Sequence, residues 1–134
     1  MAEYGKIGND KKQIDQILSD GILSRKFNYD THNRISQIID YFESESDTTY
    51  ISYNADNQAS EIKYYKYYIT KYIYQDKNLT QSLTKNIQNT EWSIKLVYHY
   101  KNNRIDYADR YSGENLIGKI NFEYDKKGNV ISRI

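Results

Sequence analysis

An all-β chain of consecutive antiparallel hairpins, forming one large twisted, curled or partly closed sheet, is the fold class that this sequence predicts. Three observations lead there. The chain holds 16 Tyr, 3 Phe and 1 Trp with no proline, and aromatic and β-branched side chains fit a pleated surface. A unit of aromatic pair, polar stretch and aliphatic residue recurs five times. No stretch keeps a convincing helical period.

The unit is plainest in FNYDTHNRISQI and FEYDKKGNVISRI. Its anchors are Tyr29, Tyr53, Tyr74, Tyr100 and Tyr124, at separations of 24, 21, 26 and 24 residues. Two positions before each anchor stand Phe27, Ile51, Tyr72, Tyr98 and Phe122. A spacing of two puts each pair on one face of a strand. After the polar stretch come Ile35, Ala59, Leu79, Ile105 and Val130, which open the return strand. Four residues past the anchors lie Asn33, Asn57, Asn78 and Gly128, residue types that tolerate a left-handed backbone. Asp30, Asn54 and Asp125 follow their anchors directly, and such side chains bond their own turn. Each unit is therefore one hairpin. The third and fourth turns are one residue shorter, with Asn103 placed early in the fourth, so a different turn type is expected there.

A sixth copy is expected at 8–17, GNDKKQIDQI, with Gly8 in the tyrosine's place. IDQILSDGIL could form a short helical face from Ile14, Ile17 and Leu18, but the repeat register favours a strand end and a Ser-Asp-Gly turn. Between units, ESESDTT (43–49) and SLTKNIQNTE (82–91) look like loops or hairpin ends, and DRYSGENLIGK (109–119), with two glycines, is the most loop-like. YYKYYITKYIY (64–74) looks like nearly continuous strand. The alternating run Trp92, Ile94, Leu96, Tyr98, Tyr100 places Trp92 in the core. The chain's 134 residues suit a single domain, 1–134, with the five clear repeats within 25–134.

Composition narrows the function classes. Nineteen basic and 18 acidic residues give a net charge of +1, and the signs are interspersed, which argues against nucleic acid as a partner. Mean hydropathy is −0.93, but so many aromatics are foreign to disordered chains. Cysteine is absent, so there is no thiol chemistry. No apolar run reaches the ~18 residues of a spanning helix, so no transmembrane segment is expected. MAEYGKIGNDKKQ lacks a signal peptide's apolar region. The protein is then cytoplasmic, or a targeting segment was removed and a starting Met supplied. The chain ends inside an expected return strand, VISRI, which fits either a native edge or a longer array.

YDTHNRIS and YDKKGNVIS resemble the YD-repeat family of bacterial Rhs-type proteins and animal teneurins, and YNADNQAS matches it loosely. The family pattern runs tyrosine, aspartate, polar residues, Gly or Asn, Arg, an aliphatic and Ser/Thr. The resemblance covers about residues 25–134. Glycine is scarce and the Arg persists only at Arg34 and Arg104, as in a short, divergent bacterial array. What the resemblance implies is an extended sheet of hairpins, about ten strands here, in a secreted or cell-envelope protein.

The residues suggest little catalysis. His32 lies in a turn and is read as solvated. His99 lies between Tyr98 and Tyr100 and faces away from both. Metal sites need several convergent ligands. The turn aspartates Asp30, Asp56, Asp76 and Asp125 are too sparse for a calcium loop and are read as turn-stabilising, so no catalytic residue, metal or cofactor is expected. The surplus is tyrosine. Tyr64, Tyr65, Tyr67, Tyr68, Tyr72 and Tyr74 form a candidate ligand-binding aromatic platform. On a continuous strand, Tyr64, Tyr68, Tyr72 and Tyr74 share one face with Lys66 and Thr70, while Tyr65 and Tyr67 share the other. The expected role is a non-enzymatic binding or scaffold module with a protein or glycan partner, at a bacterial envelope or secreted. The alternative is a small cytoplasmic immunity protein that inhibits a toxin. Open sheet edges also permit an edge-to-edge dimer.

Overall fold

The computed structural model describes residues 2–7 and 14–133, with the side chains of 14–131. Twelve strands follow one another: β1 (Ala2–Ile7), β2 (Ile14–Ser19), β3 (Ile22–Tyr29), β4 (Ile35–Phe42), β5 (Glu45–Tyr53), β6 (Ala59–Tyr64), β7 (Tyr68–Gln75), β8 (Asn78–Asn86), β9 (Ile94–Lys101), β10 (Arg104–Ser112), β11 (Asn115–Tyr124) and β12 (Val130–Arg133). They make one antiparallel sheet in sequence order, with no helix among the described residues. Each strand touches only its sequence neighbours, and β1 does not meet β12. The sheet is open and one layer thick.

The five units are the hairpins β3–β4, β5–β6, β7–β8, β9–β10 and β11–β12. Their turns divide as their lengths require. Asn33 (φ 61), Asn57 (φ 61) and Gly128 (φ 87) are left-handed, and each closes a bond from its own amide to the carbonyl of Asp30, Asn54 or Asp125. A three-residue loop ending left-handed is the turn that restores the strand twist. The shorter turns carry two left-handed residues, Asp76 and Lys77 (φ 52 and 68) and Asn102 and Asn103 (φ 55 and 64). This is a type I′ pattern. Asn78, expected to be left-handed, is instead the first residue of β8, because the two-residue turn ends at Lys77.

A bulge marks the start of every return strand. The anchors pair with Ile35, Ala59, Leu79, Ile105 and Val130, and the next residue, Ser36, Ser60, Thr80, Asp106 or Ile131, is the extra one. Bulges interrupt ladder bonding, and side chains compensate here. Ser36 and Thr80 hydroxyls bond the carbonyls of Asn28 and Ile73. Each anchor hydroxyl reaches back to the preceding return strand. Tyr29, Tyr53, Tyr74 and Tyr100 donate to the carbonyls of Ile14, Ile35, Ala59 and Leu79, each at 2.7 Å. Tyr124 donates to that of Ile105 at 2.6 Å. Arg34 and Arg104 lie over the rings of the next anchors, Tyr53 and Tyr124, at 4.4 and 4.3 Å.

The sixth copy differs from the expectation. Residues 8–13, including Gly8, lie outside the described residues. The register, however, sets Ile7 opposite Ile14 with Asp15 as the extra residue. Ile7 thus holds the anchor's place, and Ile14 accepts the Tyr29 hydroxyl as Ile35 accepts that of Tyr53.

ESESDTT and SLTKNIQNTE are hairpin ends, one of their two expected readings, whereas the loop-like reading of DRYSGENLIGK and the continuous strand at YYKYYITKYIY are corrected. ESESDTT is mostly β5, and DRYSGENLIGK is the end of β10, a two-residue turn led by Gly113 (φ 60) and the start of β11. SLTKNIQNTE is β8 up to Asn86. YYKYYITKYIY is a hairpin, with Tyr64 paired to Tyr68 and Tyr65 left-handed (φ 52). Residues 59–75 as one strand would overrun neighbours of nine residues each and leave backbone groups unpaired. IDQILSDGIL is β2, an Asp20-Gly21 turn and β3, as the repeat register suggests. Trp92 lies before β9, half-buried, with the Lys85 ammonium 5.0 Å from its ring.

One layer means no core of ordinary kind. Ala108 is the single buried apolar residue described. The chain exposes 9970 Å², against roughly 7,400 Å² expected for a compact protein of this mass. The buried polar residues Asp40, Thr49, Thr70 and Ser82 all lie on the face of Ala108 and the anchor tyrosines, as the pairings show. Small side chains there are overlaid by long aromatic ones.

Replacing Tyr53 with Phe removes the inter-hairpin bond to the Ile35 carbonyl. A loss of about 1 kcal/mol is expected in urea unfolding, and an unchanged midpoint would contradict the role of the hydroxyls. Gly128→Val places a β-branched side chain at φ 87 in open space, so the cost is backbone strain of at least ~1 kcal/mol. Gly118→Ala, also in open space but at ordinary φ, serves as the control and should not destabilise.

Candidate functional site

The pairing register sorts the side chains into two unlike faces. One carries the anchors with Phe27, Ile38, Ile51, Ile62, Tyr72, Leu96 and Tyr98. The other carries Tyr50, Lys63, Ile69, Lys71, Lys85, Lys95, His99, Tyr107, Asp109 and Tyr111.

Of the six platform tyrosines, four share the anchor face: Tyr64, Tyr68, Tyr72 and Tyr74. Tyr64 and Tyr68 are a directly opposed pair, 38% and 52% exposed. Tyr72 is half-buried. Burial, and next its hydrogen bond with Tyr64, pushes its hydroxyl far above the usual tyrosine range. Tyr74 is an anchor, spent on the Ala59 carbonyl. Tyr65 and Tyr67 do not continue a strand on the other face, because both lie in the turn. Tyr67 is 53% exposed. Tyr65 reaches across β5 to donate to Asp40 Oδ2 at 2.8 Å. That bond, ahead of burial, raises its hydroxyl. The available aromatic patch is thus Tyr64, Tyr67 and Tyr68 at one sheet end, backed by Tyr72.

Asp40 is a feature that sequence reading missed. It is buried, and it accepts from Arg25 Nε as well as from Tyr65. A buried carboxylate needs such partners. Arg25, Asp40 and Tyr65 lie on three different strands or turns, so only the register brings them together.

The histidines are placed as their spacing implies. His32 is exposed in its turn, where its amide donates to Asp30 Oδ1. His99 faces away from Tyr98 and Tyr100. Its Nε2 lies 3.0 Å from Asp109 Oδ2, and its ring stacks on Tyr107 at 4.4 Å. This pair sits on the open sheet surface. Among the described residues no three His, Asp or Glu side chains gather as a metal site.

The turn residues Asp30, Asn54 and Asp125 do the same work. Each Oδ1 accepts the amides two and four residues on: His32 and Arg34, Asp56 and Gln58, Lys127 and Asn129. At Asp125 the Asn129 amide leads in holding the carboxyl below its ordinary range. At Asp30 desolvation pushes upward, but the amides of Arg34 and His32 and the Arg34 side chain outweigh it, and the carboxyl is again lowered.

No protein-family model matches the chain, and no curated protein matches it. No described helix is long and apolar enough to cross a membrane.

Both lowered carboxyls stabilise the fold fully above the unfolded carboxyl range, near pH ~3.9. That contribution is lost as pH falls through the lower folded values. Stability is therefore expected to decline between roughly pH 5 and pH 2. The pair Asp30→Asn and Asp125→Asn should flatten that decline while keeping the turns, since Asn54 already fills this role. An equal acid slope in variant and wild type would refute it.

Proposed function

We propose that this chain is a non-enzymatic binding or scaffold module of the YD-repeat kind, working at a bacterial envelope or as part of a secreted protein. One observation carries the reading. A sheet one layer thick leaves a broad aromatic face without a second layer, on which Tyr64 and Tyr68 are an exposed opposed pair with Tyr67 exposed in the adjoining turn. Tyrosine suits such contacts because its ring is apolar and its tip polar, and large exposed apolar patches on soluble proteins mark contact sites. The repeat supports the family reading: the Tyr-Asp unit, the left-handed Asn or Gly and the bulge Ser or Thr each have a distinct structural task. The envelope assignment rests on the family resemblance. The non-enzymatic reading draws support from His99, whose carboxylate partner lies on an open surface. The partner is a protein or glycan that lies flat against the tyrosines.

The test is retention from lysate and culture medium of the source cell on immobilised protein, compared with the triple variant Tyr64→Ser, Tyr67→Ser, Tyr68→Ser. Wild type is expected to hold one stoichiometric protein or a glycan fraction, and the variant to hold it about tenfold or more weakly. Circular dichroism checks that the variant is folded. Equal retention would remove the platform from the reading, and a cytoplasmic toxin as sole partner would replace it with an inhibitor role.

A further inference from the structure

The face opposite the anchors carries a pattern that net charge conceals. Lys63, Lys71, Lys85 and Lys95 stand one per strand on β6, β7, β8 and β9. The register sets Lys63 opposite Ile69 and Ile69 opposite Lys85, and Lys71 opposite Leu83 and Leu83 opposite Lys95. All four therefore point from one face in a zigzag, with steps of about 8 Å between Cα positions from strand spacing and rise. None of them takes part in an ion pair among the described residues. Glu61, opposite Lys71, is the single carboxylate inside the row.

Aromatic rings position three of the four ammonium groups. Lys63 lies 5.9 Å from the Tyr50 ring, Lys85 5.0 Å from Trp92 and Lys95 4.9 Å from Tyr111. Such contacts hold a long side chain in place without neutralising it. From this we infer that the β6–β9 lysine row is a binding track for a linear polyphosphodiester without bases, held through its backbone charges. Three features select that occupant. A line of unneutralised cations complements a chain with one negative charge per repeat. Lysine is a point-charge partner for phosphate, whereas carboxylate polymers favour the arginine fork, and the row holds no arginine. The rings that would stack bases already lie against the protein's own ammonium groups, so nucleobases have no open platform. The track lies on the opposite face from Tyr64 and Tyr68, and it stands or falls independently of the function proposed for the tyrosines.

The experiment uses fluorescence anisotropy with a labelled abasic deoxyribose-phosphate oligomer of about 12 units, within the span such surfaces cover, and the matching oligothymidylate. Both are expected to bind with similar affinity. Four phosphate contacts imply roughly 50-fold weaker binding at 200 mM than at 50 mM salt. Lys63→Gln, Lys71→Gln, Lys85→Gln and Lys95→Gln together should weaken binding at least ~10-fold and flatten the salt dependence. A second variant with Lys66, Lys77, Lys126 and Lys127, all in turns, changed to Gln removes the same charge elsewhere and should keep binding. Failure of the wild type to bind the abasic oligomer at low salt overturns the proposal. Equal losses in the two variants also overturn it, by reducing the effect to net charge. Oligothymidylate bound more than tenfold tighter than the abasic oligomer overturns it in favour of a nucleic-acid strand.

Discussion

A tyrosine hydroxyl donated to a backbone carbonyl of the preceding hairpin is the interaction on which the rest of the sheet depends. Each return strand opens with a bulge, and a bulge interrupts the ladder. The carbonyl just before the extra residue receives the next anchor's hydroxyl instead. The bond needs a side chain of tyrosine's length at a defined register. It therefore couples three things: where the strand pairs, where the bulge sits and which hairpin comes next. Burial raises the hydroxyls of Tyr29, Tyr53, Tyr74 and Tyr100 above their ordinary values, so these groups remain donors across the neutral range.

This coupling substitutes for a core. In most domains a second layer buries one face of the sheet. Here the described strands touch only their neighbours, and stabilisation must come from lateral contacts. Cross-strand pairs contribute a few tenths to about 1 kcal/mol each, and the hairpin-to-hairpin bonds add terms of similar size. Repeat arrays are stabilised in this nearest-neighbour fashion. The consequence for function is direct. Both faces stay available, and they differ: one is aromatic, the other bears lysines supported by rings.

Much of the repeat was legible because its period is local. The spacing of Phe27 and Tyr29, the Asp and Asn residues of the turns and the shortened third and fourth units all act within a few residues. The segments between units were harder. In YYKYYITKYIY each residue favours strand, and nothing local announces a turn at 65–67. The length of the neighbouring strands forces one. Alternation points Trp92 to the core, but alternation holds only within a strand, and β9 starts at Ile94. Repeat spacing in the N-terminal copy points to Gly8 as the anchor, whereas pairing with Ile14 gives that place to Ile7.

The sequence alone determined the hairpin, its turn chemistry and the succession of units, since these follow from two-residue alternation and from the few residues that adopt left-handed backbone. It also marked Tyr64, Tyr68, Tyr72 and Tyr74 as sharing a face. Pairing register decided the rest. Only the register joins Arg25, Tyr65 and Asp40, sets His99 beside Asp109, and collects Lys63, Lys71, Lys85 and Lys95 on one surface while total charge stays near zero. Residues that meet across strands are up to 25 positions apart, and no local preference carries that information. The single layer, too, is a tertiary outcome, because an apolar strand face looks the same in sequence whether or not another layer covers it.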